Sequence, residues 1–513
     1  MSGRPRSIGV LGGGTAGYFA ALAIKRFDPG LAVTVVESSR IPVIGVGEAT
    51  TPFLPPFLHH GLGLDVHTLW AEVRPTFKLG IRFFWGRPGD YFFNYAFGDG
   101  HPHEAHVHEA DVRRYSPTSL MMTADTVPVL RQPDGAVGSL LGRLKVAYHL
   151  DNKPFVAYLA RQAERAGIAR LDATIAEATR TEDGERVAGL IASDGRRLTF
   201  DLYVDCTGFR STLLEQTLGS PFTSYASTLF CDTAVVASVP HGGHLKPYTL
   251  AETMSAGWCW NIPQVDEDHR GYVFASAFQS LDEAAAEMRR KNPGMGEPWT
   301  VRFRSGRHAH FAKGNVVALG NAYGFVEPLE STALHMVIVE VAYLLRALAD
   351  PMGPDHALRL ANDRVPAHWD YLRWFLGLHY RYNAKLDTPF WQACRATADV
   401  SGLEPMVERF RAEGPFSGRA DLARDEADAV FGHRGLDIML LGQGIEPAVR
   451  PAMPRERWDP LHADWSRLAG LAMPQAQALR ELGRRPDLLD EMVAGASWCQ
   501  EMGRAFPLLH GVV

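Results

Sequence analysis

A glycine-rich turn set between a short apolar strand and a helix constrains this chain more than anything else in it. Ser7 to Leu11 (SIGVL) reads as a buried strand, Gly12-Gly13-Gly14-Thr15-Ala16-Gly17 as a turn, and Tyr18 to Phe27 as a helix with its apolar residues at helical spacing. A second strand, Ala32 to Val36, ends at Glu37, twenty residues beyond Gly17. Glycines at these positions let a helix N-terminus approach a pyrophosphate, and a carboxylate at that distance along the chain can accept hydrogen bonds from a ribose. The glycine pattern alone would also fit a packing turn. With both strands and Glu37 in place it reads as a dinucleotide-binding unit, with Gly12, Gly14, Thr15, Ala16, Gly17 and Glu37 facing the nucleotide.

Arg4 and Arg6 ahead of an apolar stretch outline a secretory signal, but the four glycines interrupt that stretch and the strand-turn-helix reading explains the same residues without discarding them. The most apolar later segment, Ala333 to Ala349, carries His335, Glu340 and Arg346, which argues against a bilayer span. Lys plus Arg number 52 against 58 Asp plus Glu, a net charge of -6 with no basic block, which excludes a nucleic-acid or polybasic membrane surface. The five cysteines, Cys206, Cys231, Cys259, Cys394 and Cys499, form no CxxC pair, so neither a disulfide framework nor a thiolate zinc site is expected, and a reducing cytoplasm fits best.

Three later segments choose between FAD and a nicotinamide cofactor. Ile44 to Thr51 (IGVGEATT) supplies a second glycine-rich turn that includes Ala49, and Leu198 to Arg210 (LTFDLYVDCTGFR) reads as a strand ending in Asp-Cys-Thr-Gly. Gly314 to Glu330 (GNVVALGNAYGFVEPLE) reads as a strand and a turn around Gly320 and Leu329, followed by a helix over Ser331 to Leu348. Repeated returns to one nucleotide site describe a long ligand clasped by a discontinuous domain, and favour FAD. The expected fold is α/β with α+β character: a Rossmann-like FAD-binding domain of the flavin monooxygenase type, an added sheet and a C-terminal helical module. The core should span 1–346, with nucleotide-binding parts near 1–52, 145–215 and 300–346 and a substrate-side sheet near 53–144 and 216–299. A mainly helical, substrate-covering module should occupy 347–513.

Three further motifs give the chain a family. Trp258-Cys259-Trp260-Asn261-Ile262-Pro263 matches W-x-W-x-I-P; Lys78 lies in Pro75-Thr76-Phe77-Lys78-Leu79-Gly80-Ile81-Arg82; and Phe325-Val326-Glu327-Pro328-Leu329-Glu330-Ser331-Thr332-Ala333 matches F-[IV]-[DE]-P-L-x-S. From about Ser7 to Pro447 the sequence resembles a flavin-dependent halogenase of the tryptophan-halogenase family. The resemblance implies that Trp258, Trp260, Ile262 and Pro263, with Ser331, border a passage that keeps organic substrates from the flavin. It implies that Lys78 is the essential lysine, that Glu330 is the carboxylate opposite it, and that the backbone N–H groups of Thr332 and Ala333 hold the halide. A lysine in so apolar a strand is expected to place its ammonium at an internal cavity, and Ser331 or Thr332 is also placed to cap the helix that follows.

Three positions, one at the halide site and two at the pocket walls, depart from the family pattern. Ala333 stands where many relatives have glycine, and if the implied halide site is used, its methyl group is expected to reshape that site toward bromide. Tyr95 and Phe97, and Val430 and Phe431, fall where enzymes acting on free tryptophan place the walls of an indole pocket; Phe97 and Phe431 fit, Tyr95 and Val430 do not. No clamp for a free amino acid is evident in Gly435 to Leu441, so an indole, pyrrole or phenol other than free tryptophan is the expected substrate, with a tryptophan-containing peptide among the candidates. After Ala347, Trp369, Tyr371, Leu372, Trp374, Phe375, Leu378 and His379 recur at helical spacing and read mainly as core. His101, His103, His106 and His108, with Glu104 and Glu109, could bind a metal but suit an active-site lid better.

The implied reaction uses FAD, arriving reduced from a separate reductase that forms no stable complex, together with oxygen and chloride or bromide. Hypohalous acid travels to Lys78, which presents it by hydrogen bond or as a haloamine, and Glu330 polarises the reagent or takes the ring proton. A homodimer is compatible with this scheme. Two other readings stay open at this point: an aromatic hydroxylase, which should lack Lys78, and a non-catalytic FAD-binding or redox-sensing protein.

Overall fold

The strand Ser7–Leu11 is buried from Ile8 onward and lies third in a six-stranded sheet. In order, the sheet runs Ala169–Asp172, Ala32–Glu37, Ser7–Leu11, Leu202–Asp205, Val316–Ala318 and Ala312–Lys313. The first five strands are parallel and the last is antiparallel. Strands covered on both faces must be apolar throughout, which accounts for runs such as Ile8–Leu11. The computed structural model describes residues 4–41, 47–98, 112–417, 431–450, 454–495, 498 and 507–510. Val430 and the His101–His108 cluster lie outside the described residues.

The glycine turn forms as its sequence requires. Gly12 has φ of +113°, and a Cβ there would lie 2.2 Å from the carbonyl oxygen of Cys206, while one on Gly17 would lie 1.9 Å from the carbonyl oxygen of Gly12. Only hydrogen side chains allow the turn to press against the neighbouring strand and the helix Thr15–Phe27 to start so close to it. That helix begins three residues before the sequence-based expectation. The predicted strand from Leu198 divides into Arg197–Leu198, in a small sheet with Val187–Ala192, and Leu202–Asp205 in the large parallel sheet.

A second, seven-stranded sheet runs in the order Trp299–Arg302, Thr233–Val239, Asp268–Phe274, Gly257–Pro263, Thr249–Met254, Gly80–Phe84 and Phe93–Ala96. A third, of three short strands, Glu48–Ala49, Ala147–Leu150 and Thr76–Lys78, lies apart from both in its pairing. The run that reads from sequence as one strand therefore breaks at Leu79. Lys78 belongs to the small sheet and Gly80 to the large one, and Gly80 is required because a Cβ would lie 2.2 Å from the Tyr95 carbonyl oxygen.

The C-terminal part is largely helical, led by Ala333–Ala349 and the 28-residue Pro354–Arg381. It also adds a strand, Ala472–Pro474, beside Thr126–Arg131, and one continuous apolar cluster runs from Ile8 to Leu509. These helices share the core. Among the described residues, no helix is long and apolar enough to cross a membrane, and Cys206, Cys231, Cys259 and Cys394 are free thiols.

Gly12→Ala tests the turn. The strained φ and the backbone collision together should destabilise the fold by about 2–5 kcal/mol, read as a fall of several degrees in Tm by circular dichroism, with an unchanged Tm counting against this geometry.

Candidate functional site

Lys78 ends its strand facing inward, with its side chain fully buried. Its ammonium donates to the Ser331 hydroxyl at 2.6 Å and lies 5.5 Å from the centroid of the Phe97 ring. Burial pulls its pKa from 10.5 down to about 7, with the Glu330 carboxylate pulling the other way. An interior amine that can be neutral or charged near pH 7 suits a reagent carrier.

Glu330 sits in the single turn Pro328–Glu330, which Pro328 and the left-handed Ser331, φ +59°, bound at either end. Such a backbone is uncommon for a residue with a side chain, and here it turns the Ser331 hydroxyl toward Lys78. Ser331 thus serves the lysine, and Thr332 makes no side-chain cap to the helix Ala333–Ala349, so the expected N-cap is absent and the first N–H groups of that helix meet no side-chain cap. Glu330 Oε1 lies 2.7 Å from Nε2 of His379, whose Nδ1 lies 2.9 Å from the Phe375 carbonyl. The carbonyl can only accept, so Nδ1 carries hydrogen and one further proton lies between Nε2 and Oε1.

Aromatic rings surround this pair. Phe375 stacks on Phe431 with centroids 4.2 Å apart, Tyr371 stacks on Phe375 at 6.2 Å, and Tyr95 meets Phe431 edge-on at 6.2 Å. Burial, and then the Glu330 charge, push the Tyr95 hydroxyl well above its ordinary pKa, so it stays a neutral phenol. Beside Gly435, where a Cβ would come within 2.2 Å of the Tyr95 hydroxyl, the helix Gly432–Gly442 closes against this wall. Tyr95, Phe97 and Phe431, predicted as separate wall residues, therefore converge with Lys78 and Glu330.

The Trp-x-Trp strand, Gly257–Pro263, is buried along its whole length. Trp258 and Trp260 share a face with centroids 5.9 Å apart, as alternate residues of a strand do. Ile262 is buried, and the Thr76 hydroxyl donates to the Pro263 carbonyl at 2.8 Å, tying this strand to the one that bears Lys78.

On the parallel sheet, the N-cap of the first helix is Gly14, with no capping side chain, no acidic residue in the first turn and open space where a Cβ would stand. Uncapped N–H groups beside open space fit a pyrophosphate. Glu37 folds over Gly13, accepting from Tyr18 at 2.9 Å and from Arg170 Nε at 3.0 Å. The turn at Gly320, with φ of +58°, approaches the same helix, since a Cβ there would lie 3.3 Å from the Ala16 side chain. Glu340, buried in the helix Ala333–Ala349, accepts from the Gly320 N–H at 2.6 Å and from Trp369 at 3.1 Å. Thr15 donates to Asn152 at 3.3 Å, Ala49 pairs with His149, and Leu329 is buried and could offer only backbone. The residues present fit a dinucleotide of FAD type.

Sequence alone does not single out His379, which holds Glu330, or Glu340, which holds the Gly320 turn. His379 is visible there only as one polar residue in an aromatic helical stripe, and a buried carboxylate partner 49 positions away leaves no local signal.

Known relatives extend over nearly the whole chain. A family model described as tryptophan halogenase matches residues 7–456. The structure of MibH, a lanthipeptide tryptophan 5-halogenase, is 46% identical, with TM-score 0.89 over 96% of each chain. BrvH, a flavin-dependent halogenase from Brevundimonas sp. BAL3, is 30% identical with TM-score 0.82, covering 93% of this chain and 99% of that one. Tryptophan 7-halogenase KtzQ of Kutzneria sp. (strain 744) is 32% identical, covering 80% of this chain and 83% of its own.

The Lys78 geometry gives a titration. Its side-chain NMR signal should move with a midpoint near pH 7, and Glu330→Gln should shift that midpoint lower by removing the attraction that favours the charged amine. Since the unfolded chain holds this proton up to about 10.5 while the folded one loses it near 7, stability from this group should fall as pH drops between those values. A midpoint above pH 9 would refute the burial argument.

Proposed function

The chain belongs to the tryptophan halogenase family, and from that premise we propose that it halogenates the indole of a tryptophan carried in a peptide. The observation that carries this reading is the 46% identity over 96% of both chains to a lanthipeptide tryptophan halogenase, against 32% to a relative named for tryptophan itself. The site supports it. Tyr95, Phe97, Tyr371, Phe375 and Phe431 offer rings to an indole, while Lys78 and Glu330 are committed to Ser331 and His379. A free amino acid would need its own pair of opposite charges, because burying an ammonium and a carboxylate unpaired costs several kcal/mol.

Reduced FAD, when bound, would supply with oxygen and a halide the electrophilic reagent, a hypohalous acid. Gly12, Gly14, Thr15, Ala16 and Gly17 would hold its pyrophosphate, Glu37 a ribose, and Ala49, Gly320 and Leu329 the remainder. The N–H groups of Thr332 and Ala333 bind halide at the start of their helix, where the dipole favours an anion. Trp258, Trp260, Ile262 and Pro263 wall the way between the two sites and exclude water and substrate. Lys78, steadied by Ser331, takes the hypohalous acid by hydrogen bond or as a haloamine. Glu330 Oε2, the oxygen that His379 leaves unengaged, accepts the ring proton as the new carbon–halogen bond is completed, and the proton between Oε1 and His379 Nε2 adjusts to the changed charge. A buried lysine at this place has no use in a hydroxylase. The reduced flavin comes from a separate reductase.

The test is incubation with FAD, a flavin reductase, NADH and bromide, read by mass spectrometry across a tryptophan-containing peptide, free tryptophan, indole and a phenol. The peptide should be favoured over free tryptophan at least about tenfold, the ratio given by ~1.4 kcal/mol of differential binding; efficient single-position halogenation of free tryptophan would overturn the peptide assignment. Lys78→Ala should abolish product while FAD still binds, and Glu330→Gln should slow it by about 10²-fold. Bromide should be used in preference to chloride, and Ala333→Gly should narrow the gap; equal turnover with both halides would remove Ala333 as the determinant.

A further inference from the structure

Glu327 takes no part in the chemistry above, yet its carboxyl is wholly buried. Its Oε2 accepts the Trp258 indole N–H at 2.9 Å and also the Tyr380 hydroxyl. Its Oε1 meets no donor, and the Trp260 indole N–H beside Trp258 meets no acceptor among the described residues. An apolar side chain would avoid the burden of an unpaired buried oxygen, so this carboxyl needs a reason beyond packing.

Its partners suggest one. Tyr380 follows His379 at the end of the helix Pro354–Arg381, so two consecutive residues grip the carboxyls at the two ends of one short segment, Tyr380 holding Glu327 just before the turn Pro328–Glu330 and His379 holding Glu330 within it. Neither prong is free to swing. The Tyr380 ring stacks on Trp391 at 5.7 Å and meets Trp85 edge-on at 6.2 Å, and the Trp85 indole N–H donates to the His379 carbonyl at 2.7 Å. The signature indole is thereby fastened to the same helix end that fastens the catalytic carboxylate.

Resting on the halogenase reading, we infer that Glu327 is a positioning residue: it pins the Trp258 indole to the end of the helix Pro354–Arg381 and so keeps the passage wall in register with Glu330 and Lys78, holding hypohalous acid on its way to the lysine. A small neutral oxidant is retained only while the wall is closed, and an unfastened indole can rotate about its side-chain bonds and open it.

The groups facing Glu327 are Tyr380 from the long helix, Cys231 and Asp232 from the segment before Thr233–Val239, and Cys394 from the helix Pro389–Thr397. Burial pushes the Glu327 carboxyl up to about 7, offset in part by its two hydrogen bonds, and burial keeps both cysteines as thiols. Since Oε2 accepts the same two donors whether or not Oε1 carries a proton, the lock survives protonation. An amide carbonyl can accept them equally well.

The experiment compares Glu327→Gln, Glu327→Leu and Tyr380→Phe in the full chain. The first reading is halogenated product per oxygen consumed, with a thioether in solution to trap escaping hypohalous acid as sulfoxide. Glu327→Gln should stay within about twofold of wild type, while Glu327→Leu and Tyr380→Phe should lose about tenfold in coupling as sulfoxide rises. The second reading needs no turnover: the Trp258 indole N–H resonance, identified by its loss in Trp258→Phe, should follow pH near 7 in the wild type but not in Glu327→Gln, and should exchange faster in Glu327→Leu and Tyr380→Phe. Unchanged coupling in both disruptive variants, a Glu327→Gln as leaky as Glu327→Leu, or unaltered exchange at Trp258 would each overturn the inference. A wild type that halogenates nothing while its Trp258 signal still follows Glu327 would instead refute the halogenase reading and leave the lock itself standing.

Discussion

A lysine ammonium sealed from water is the interaction on which the rest of this structure depends. Lys78 is kept inside by a three-residue strand and held by the Ser331 hydroxyl at 2.6 Å, with Glu330 the opposing charge that favours its protonated form. Each of those partners has its own support: Ser331 its left-handed backbone, Glu330 the His379 ring, and His379 the Phe375 carbonyl one turn earlier. Low-dielectric surroundings make each of these contacts matter more and make an unpaired one more costly. The burial that brings the amine near neutrality also lowers stability, which ordinary packing of the shared core must offset.

The same helix ends serve two sites at once. Ala333–Ala349 starts at the proposed halide site and, two turns on, presents Glu340 to the Gly320 turn of the proposed nucleotide site and to Trp369 of the next helix. Burial raises Glu340 to about 8, with both hydrogen bonds opposing the shift. One rod thus spaces the Gly320 turn from the proposed halide position, while the far end of Pro354–Arg381 fixes Glu327 and, opposite the lysine, Glu330. The separation of the two proposed sites is set by helices rather than by loops.

Much of this is legible in the sequence where the physics is local. Gly12 and Gly17 announce a turn pressed against a neighbouring backbone, and the apolar run Ile8–Leu11 announces a strand covered on both faces, because steric room and burial act on the residue itself. Lys78 and Glu330 are found by motif, and the structure brings them together with Tyr95, Phe97 and Phe431. Pairing at long range leaves no such trace: His379 with Glu330, Tyr380 with Glu327, and Glu340 with Gly320. Ser331 reads as a helix cap because serine before an apolar helical run usually is one; here the demand of a buried ammonium outweighs the helix end. The break at Leu79 is hidden because Phe77, Leu79, Ile81 and Phe83 continue one alternating apolar pattern straight through it.

That break separates two tasks. Lys78 is hydrogen-bonded through its backbone into a sheet with Ala147–Leu150, whereas Tyr95 and the strand Gly80–Phe84 belong to the seven-stranded sheet. Insertions or exchanges along the rim of the large sheet can therefore remodel the wall that carries Tyr95 without dragging the Lys78 amine out of line. A scaffold built in this way can reshape one face of its interior while the position of the buried amine on the other sheet stays fixed.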